Sequence, residues 1–121
     1  MRRLFAFSTV LLLAAPAWAD FDDGLAAYDR GDYGTAFEEF LPLAEQGDAW
    51  PQILLGAMYY FGEGVEKDYA EAMKWYLLAA EKGNEVARVA LDEIASEMTH
   101  DQIAEAQRLA AEWWEDYQSR Q

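Results

Sequence analysis

Between residues 49 and 117 the apolar positions recur every three or four residues, the spacing of helix faces rather than of strands. Tyr69, Ala72, Met73, Tyr76, Ala79 and Ala80 trace one stripe. Asp68 stands in front of them as an N-cap, Gly83 follows as a left-handed C-terminal residue, and Asn84 caps the next segment. The pair Gly47 and Asp48 repeats that punctuation earlier in the chain. Ahead of the stripe, Ala49 to Phe61 is apolar nearly all round through Ile53, Leu54, Leu55, Met58, Tyr59, Tyr60 and Phe61, which predicts a helix covered on several sides. Gly56 lies inside it, where glycine costs about 1 kcal/mol relative to alanine, so a partner helix is expected to approach closely there. The intervening "GEGVEKD" reverses the chain: Gly62 and Gly64 open backbone angles closed to other residues, and Val65 is expected to fold back against them. Farther along, Thr99 and Gln102 form a capping box, and Ile103, Ala106, Ala110, Trp113 and Tyr117 repeat at spacings of 3, 4, 3 and 4. Glu105, Arg108, Glu112 and Glu115 fall on the opposite, wet face.

The pattern is also periodic at long range. A shift of 36 residues lays "DYGTAFEEFLPLAEQG", Asp32 to Gly47, on "DYAEAMKWYLLAAEKG", Asp68 to Gly83. Asp32/Asp68, Tyr33/Tyr69, Ala36/Ala72, Leu41/Leu77, Ala44/Ala80, Glu45/Glu81 and Gly47/Gly83 coincide, and Phe40/Tyr76 are both aromatic. A helical period in the thirties predicts stacked hairpins. The fold class expected is all-α: a short α-solenoid of about three stacked antiparallel helical hairpins, over residues 20–47, 48–83 and 84–121.

The first 19 residues stand apart. Arg2 and Arg3, an apolar run from Leu4 to Ala15, and Ala17-Trp18-Ala19 have the three-part form of a secretory signal peptide cleaved after Ala19. The apolar run is short of the roughly 20 residues that span a bilayer, so no stable membrane anchor is expected once it is removed. The 121 residues carry 9 basic and 23 acidic side chains, net −14, and loss of Arg2 and Arg3 makes the remainder more negative still. Such a surface repels nucleic acid and favours solubility or a basic partner. There is no cysteine, so the exported protein holds together without disulfides or thiolate metal sites.

Chemistry is sparse. The single histidine, His100, follows the cap Thr99 with no second imidazole to make a zinc site or triad. Carboxylate pairs such as Glu38/Glu39 and Glu112/Glu115 are expected by chance among 23 acidic residues. The sequence predicts no enzyme, no cofactor and no metal.

The string "LGAMYYFGEGVEKDYAEAMKWYLLAAEKGN" resembles a complete unit of the Sel-one-like repeat family, a tetratricopeptide-like α-solenoid family. Leu55, Gly56, Tyr59, Gly62, Gly64, Val65, Asp68, Ala72, Trp75, Tyr76, Ala79, Ala80 and Gly83 fall on the family pattern. "GLAAYDRGDYGTAFEEFLPLAEQGD" is similar to the divergent opening hairpin of secreted bacterial members, with Gly31 in a tight turn, and "VARVALDEIASEM" departs from the pattern as a terminal cap would. The resemblance implies structural roles for the signature residues, Trp75 and Tyr76 among them. It also implies a short exported bacterial member, in the periplasm, that binds a protein or peptide on an inner surface made by the first helix of each hairpin. Candidate contact residues there are Trp50, Gln52, Ile53, Ala57 and Tyr60, with Trp114 on the last helix. The alternative is a structural module that self-associates by burying Trp113, Trp114 and the terminal helix against a second copy.

Overall fold

The structure is a computed structural model that describes residues 19–121. The signal peptide expected over 1–19 therefore lies outside the described residues, apart from Ala19. Six helices follow in order: α1 (Phe21–Asp29), α2 (Tyr33–Glu45), α3 (Ala49–Phe61), α4 (Tyr69–Glu81), α5 (Glu85–Ala95) and α6 (His100–Ser119). No strand occurs among the described residues.

Helix starts obey one rule. Asp32, Asp68, Asn84 and Thr99 each accept a hydrogen bond from the backbone N–H three residues on, at Thr35, Glu71, Ala87 and Gln102. Thr99 and Gln102 complete the reciprocal capping box. Asp48 occupies the same position before α3 but makes no side-chain cap bond. The cause is in the sequence: the third residue after Asp48 is Pro51, which has no N–H to give. The turns use glycines of positive φ at 31, 47, 62, 64 and 83.

Consecutive helices pack as antiparallel neighbours along the array, α1 on α2, α2 on α3, α3 on α4 and α4 on α5. The long α6 breaks the sequence, since its main contact is with α4 rather than with α5 beside it. Its C-terminal end reaches farther, where the Tyr117 hydroxyl donates to the Gln46 carbonyl at 3.3 Å and the Arg120 guanidinium to the Glu45 carbonyl at 3.4 Å. The helix thus straps the end of α2 to α4.

Two apolar clusters make the core. One gathers Ala27, Ala36, Phe40, Ala44, Leu55, Met58, Trp75, Leu78, Ala110 and Trp113 from five helices; the other gathers Ile53, Ala72, Met73, Tyr76, Ala79, Ala87, Ile94 and Ala106. Tyr59 and Leu77 pack against both and join them. Close approach is set by glycine against an aromatic ring, twice. A Cβ added at Gly56 would lie 2.5 Å from Tyr76 Cε1, and one at Gly24 would lie 2.5 Å from Phe40 Cε1. Phe40 and Tyr76 are equivalent positions of the 36-residue repeat, so the α1–α2 and α3–α4 hairpins close by the same device.

The loop after α3 is pinned from several sides. The Glu63 N–H donates to the Met58 carbonyl at 2.9 Å and the Asp68 N–H to the Tyr59 carbonyl at 3.0 Å, closing the loop on the helix it leaves. The Tyr28 hydroxyl donates to Glu63 Oε1 at 2.6 Å, and a Cβ on Gly64 would sit 2.8 Å from the Tyr33 carbonyl oxygen. The two-glycine loop is thus the joint between the first hairpin and the second. Val65 is half-buried and belongs to neither core cluster.

Candidate interaction surface

Among the described residues the large apolar side chains left exposed are Trp50 (50%), Phe61 (64%), Val86 (50%) and Val89 (55%). All four stand on α3 and α5, the helices before and after α4 in the chain. Trp50, Leu54, Ala57 and Phe61 are spaced 4, 3 and 4 apart and so share the outer side of α3. On α5, Val86, Val89, Ala90 and Glu93 share one side, while Ala87, Leu91 and Ile94 turn into the second core cluster. Two shallow clefts meet on this surface. One is lined by Tyr60, Phe61, Tyr76, Ala90, Glu93 and Ile94, the other by Glu85, Val86, Val89, Ala90 and Glu93, so Ala90 and Glu93 form the seam between them.

Tyr60 is held in place at the edge of the surface. Its ring stacks on Tyr69 at 5.3 Å, meets Phe61 edge-on at 4.8 Å, and its hydroxyl donates to Glu97 Oε2 at 2.5 Å. The Tyr69 hydroxyl reaches the other oxygen of Glu97 at 3.5 Å. The bond to the Glu97 carboxylate, with further contributions from desolvation and that negative charge, pushes the Tyr60 hydroxyl up to about 12. The end of α3 is thereby tied to the turn after α5.

The candidate residues separate. Trp50 is exposed, Ala57 and Tyr60 are half-buried, and the three lie on α3. Gln52 and Ile53 do not reach the surface, contrary to the expectation for them. Gln52 is fully buried, its amide donating to the Ala44 carbonyl at 3.1 Å, and Ile53 packs in the second core cluster. Both point toward α2 and α4 because the outer side of α3 is the Trp50–Phe61 side. The Gln52 Oε1 and the indole N–H groups of Trp75 and Trp113 are buried without a partner. Trp114 is half-buried in a cleft lined only by α4 and α6, through Leu77, Leu78, Glu81, Gln107, Ala110 and Ala111, and is not brought to the α3–α5 surface. Trp113 is already buried, stacked on Tyr117 at 4.8 Å and edge-on to Trp75 at 6.4 Å, so it has little surface to give a second copy.

Phe61, Val86 and Val89 are the residues that sequence reasoning missed. Phe61 belongs by pattern to the apolar belt of α3, and the two valines lie in the segment that departs from the repeat pattern. Their signal was present as a second apolar stripe beside the Ala87, Leu91 and Ile94 stripe of α5. Of the repeat-signature residues, Leu55, Gly56, Ala72, Trp75, Tyr76 and Ala79 are buried, Tyr59 and Ala80 are partly buried, and Asp68 caps α4. Among the described residues no group of three or more His, Cys, Asp or Glu side chains is placed to hold a metal, and no helix is long and apolar enough to cross a membrane.

Comparison with known proteins agrees with this architecture. The Sel1 repeat model matches residues 52–84, the stretch from buried Gln52 to the cap Asn84. A curated relative, the ERAD-associated E3 ubiquitin-protein ligase component HRD3A of Arabidopsis thaliana, is 39% identical over 72 residues, which cover 59% of this chain and 11% of that protein. A solved structure, a protective antigen of uropathogenic Escherichia coli strains that displays an SLR fold, superposes with a TM-score of 0.73 at 29% identity, covering 80% of this chain and 22% of that one. Residues 52–84 match a Sel1 repeat, and the chain has the fold of an SLR solenoid. It spans about a tenth of the plant protein and about a fifth of the bacterial one. Proteins of this repeat class are in general scaffolds for protein interaction.

Proposed function

We propose that this chain is an exported, non-catalytic interaction module that holds a protein or peptide partner on the surface made by α3 and α5. The observation that carries the reading is the placement of Trp50, Phe61, Val86 and Val89, the large exposed apolar side chains, on those two helices alone. Exposed aromatic and branched side chains gathered in one place mark interaction sites, and aromatic residues are enriched among the anchors that dominate binding energy. The wet face of α6 offers no comparable anchor: Arg108 bridges Glu105 and Glu112 there, and Trp113 is spent on the internal core. Export to the periplasm rests on the Arg2-Arg3, Leu4–Ala15 and Ala17–Ala19 pattern.

Affinity capture from the producing cell's exported fraction, read by mass spectrometry, tests the reading. The full-length protein is expected to enrich a partner that a Trp50→Ala/Phe61→Ala variant loses, with the bait itself recovered as the form beginning at Asp20. Partners indifferent to that variant, or recovery of the bait alone, would remove the α3–α5 surface from consideration, and a bait retaining Met1 would remove export by this route.

A further inference from the structure

The outer side of α5 is built like the inside of a stack. Val86 and Val89 face outward along one side, Ala90 lies half-buried at the edge of the second cluster, and Ala87, Leu91 and Ile94 face the core, so apolar residues occupy well over half of the helix circumference. A helix apolar on two sides is one that expects a neighbour on each. The inner neighbour is α4; the outer position holds no other helix among the described residues. The cleft along Glu85, Val86, Val89, Ala90 and Glu93 follows α5 for about 12 Å at 1.5 Å per residue, and continues past Glu93 to Phe61. A shallow apolar face along one helix suits a rod, and the absence of any strand among the described residues leaves no sheet edge for an extended peptide to join.

The charges select which rod. Carboxylates stand at both ends and in the middle: Glu85, Glu93 and, beyond the helix, Glu97. Arg88 engages Glu85 at 2.7 Å and Lys67 lies over the Tyr69 ring at 5.1 Å, whereas Glu93, at the seam of the two clefts, makes no ion pair among the described residues. The whole chain is at −14, so a second copy would meet repulsion where a cationic segment would be drawn in.

We propose that the α5 face, from Val86 and Val89 to Phe61, docks a basic amphipathic helix of another protein, its apolar side on the valines and a lysine or arginine against Glu93. This rests on the α3–α5 reading above and deepens it by naming the partner's chemistry. The docked helix lies across α5 and the C-terminal end of α3, covering the two clefts together.

The test uses the full-length chain and two designed, fluorescein-labelled helical peptides. Both carry leucines at i, i+3, i+4 and i+7; one has lysines on its flanks and the other glutamates. Fluorescence anisotropy is expected to show saturable binding of the lysine peptide alone, weakened at least tenfold by Val86→Asp/Val89→Asp and by Glu93→Lys. The aspartate pair is decisive because it adds negative charge: loose electrostatic attachment would strengthen, while docking on the valines must weaken. Both valines are half exposed, and circular dichroism of the variants checks that the fold is kept. Equal or tighter binding of the lysine peptide to the aspartate variant would overturn the proposal. So would a dimer in sedimentation velocity that the aspartate variant dissolves, which would make a second copy the occupant. If the peptide result fails while Trp50→Ala/Phe61→Ala still abolishes capture of a cellular partner, only this partner chemistry falls; if capture is also indifferent, the interaction-surface reading falls with it.

Discussion

Replacing Gly56 by alanine isolates the contact on which the second hairpin closes. On an open helix this change is favourable by about 1 kcal/mol, because glycine is the poorer helix former. Here the new methyl would lie 2.5 Å from Tyr76 Cε1 and 2.7 Å from Cδ1, about 1 Å inside the ordinary 3.5–4.0 Å carbon contact. The ring has little room to retreat: Tyr76 is 6% exposed and shares its cluster with Ile53, Met73 and Ile94. Overpacking of this kind costs about 1–3 kcal/mol, and a rigid ring places it near the upper end. Subtracting the propensity gain leaves a net loss of about 2 kcal/mol, or a fall in Tm of roughly 8–16 °C for a domain of this size. Urea unfolding followed by circular dichroism gives the number. In a Tyr76→Leu background the ring is gone, and the same Gly56→Ala step is expected to become neutral or stabilising, a coupling of about 2–3 kcal/mol across the cycle. If Gly56→Ala stabilises the unmodified protein, the close approach is not there and the reasoning about both glycine–aromatic pairs fails.

Other consequences follow from the same structure. Gly24→Ala is expected to lower the unfolding midpoint as Gly56→Ala does, because its Cβ would meet the Phe40 ring at the same 2.5 Å distance. Asp68→Ala and Thr99→Ala should each cost about 1 kcal/mol in urea unfolding, whereas Asp48→Ala, whose carboxylate makes no cap bond, should cost far less; equal losses at all three would contradict the cap rule. Gly64→Ala should be worse than Gly62→Ala, since both force a side chain to positive φ but only at Gly64 does the methyl clash with backbone, 2.8 Å from the Tyr33 carbonyl oxygen. At alkaline pH, burial holds the Tyr76 hydroxyl up to about 12 and raises those of Tyr28 and Tyr59, while the bond to Glu97 holds Tyr60 up to about 12. An unfolded tyrosine loses its proton near pH 10, so the stability these groups contribute is full below about pH 10 and is lost as pH rises toward about 12. Thermal unfolding at a series of pH values checks this, a midpoint unchanged between about pH 9 and 12 being the contrary result.

The repeat made the fold legible. Asp68, Asn84 and Thr99 as caps, the left-handed Gly83, the two-glycine loop and the closeness at Gly56 all follow from local rules, and the structure places them accordingly. Gly24 performs the same service as Gly56 yet went unread, because the opening hairpin lacks the longer loop and its glycine does not fall on the 36-residue register. The missing cap at Asp48 was readable in principle from Pro51 three residues later, a negative signal inside a positive pattern. The surface was harder. A helix apolar all round conveys that it is covered but not from which directions, so Gln52 and Ile53 were assigned outward and Phe61 inward, the reverse of their places. Only the tertiary arrangement, with α6 crossing to α4 instead of lying mainly on α5, fixes which stripes stay open.

The central claim is that the working surface lies on α3 and α5. Hydroxyl-radical footprinting of the protein with and without its captured partner tests it most directly, since Trp50, Tyr60, Phe61, Val86 and Val89 all report individually. The account predicts that bound partner protects Trp50, Phe61, Val86 and Val89 while Trp114 and the wet face of α6 keep their reactivity. Protection centred on Trp114 and α6, with those four side chains unchanged, would contradict it.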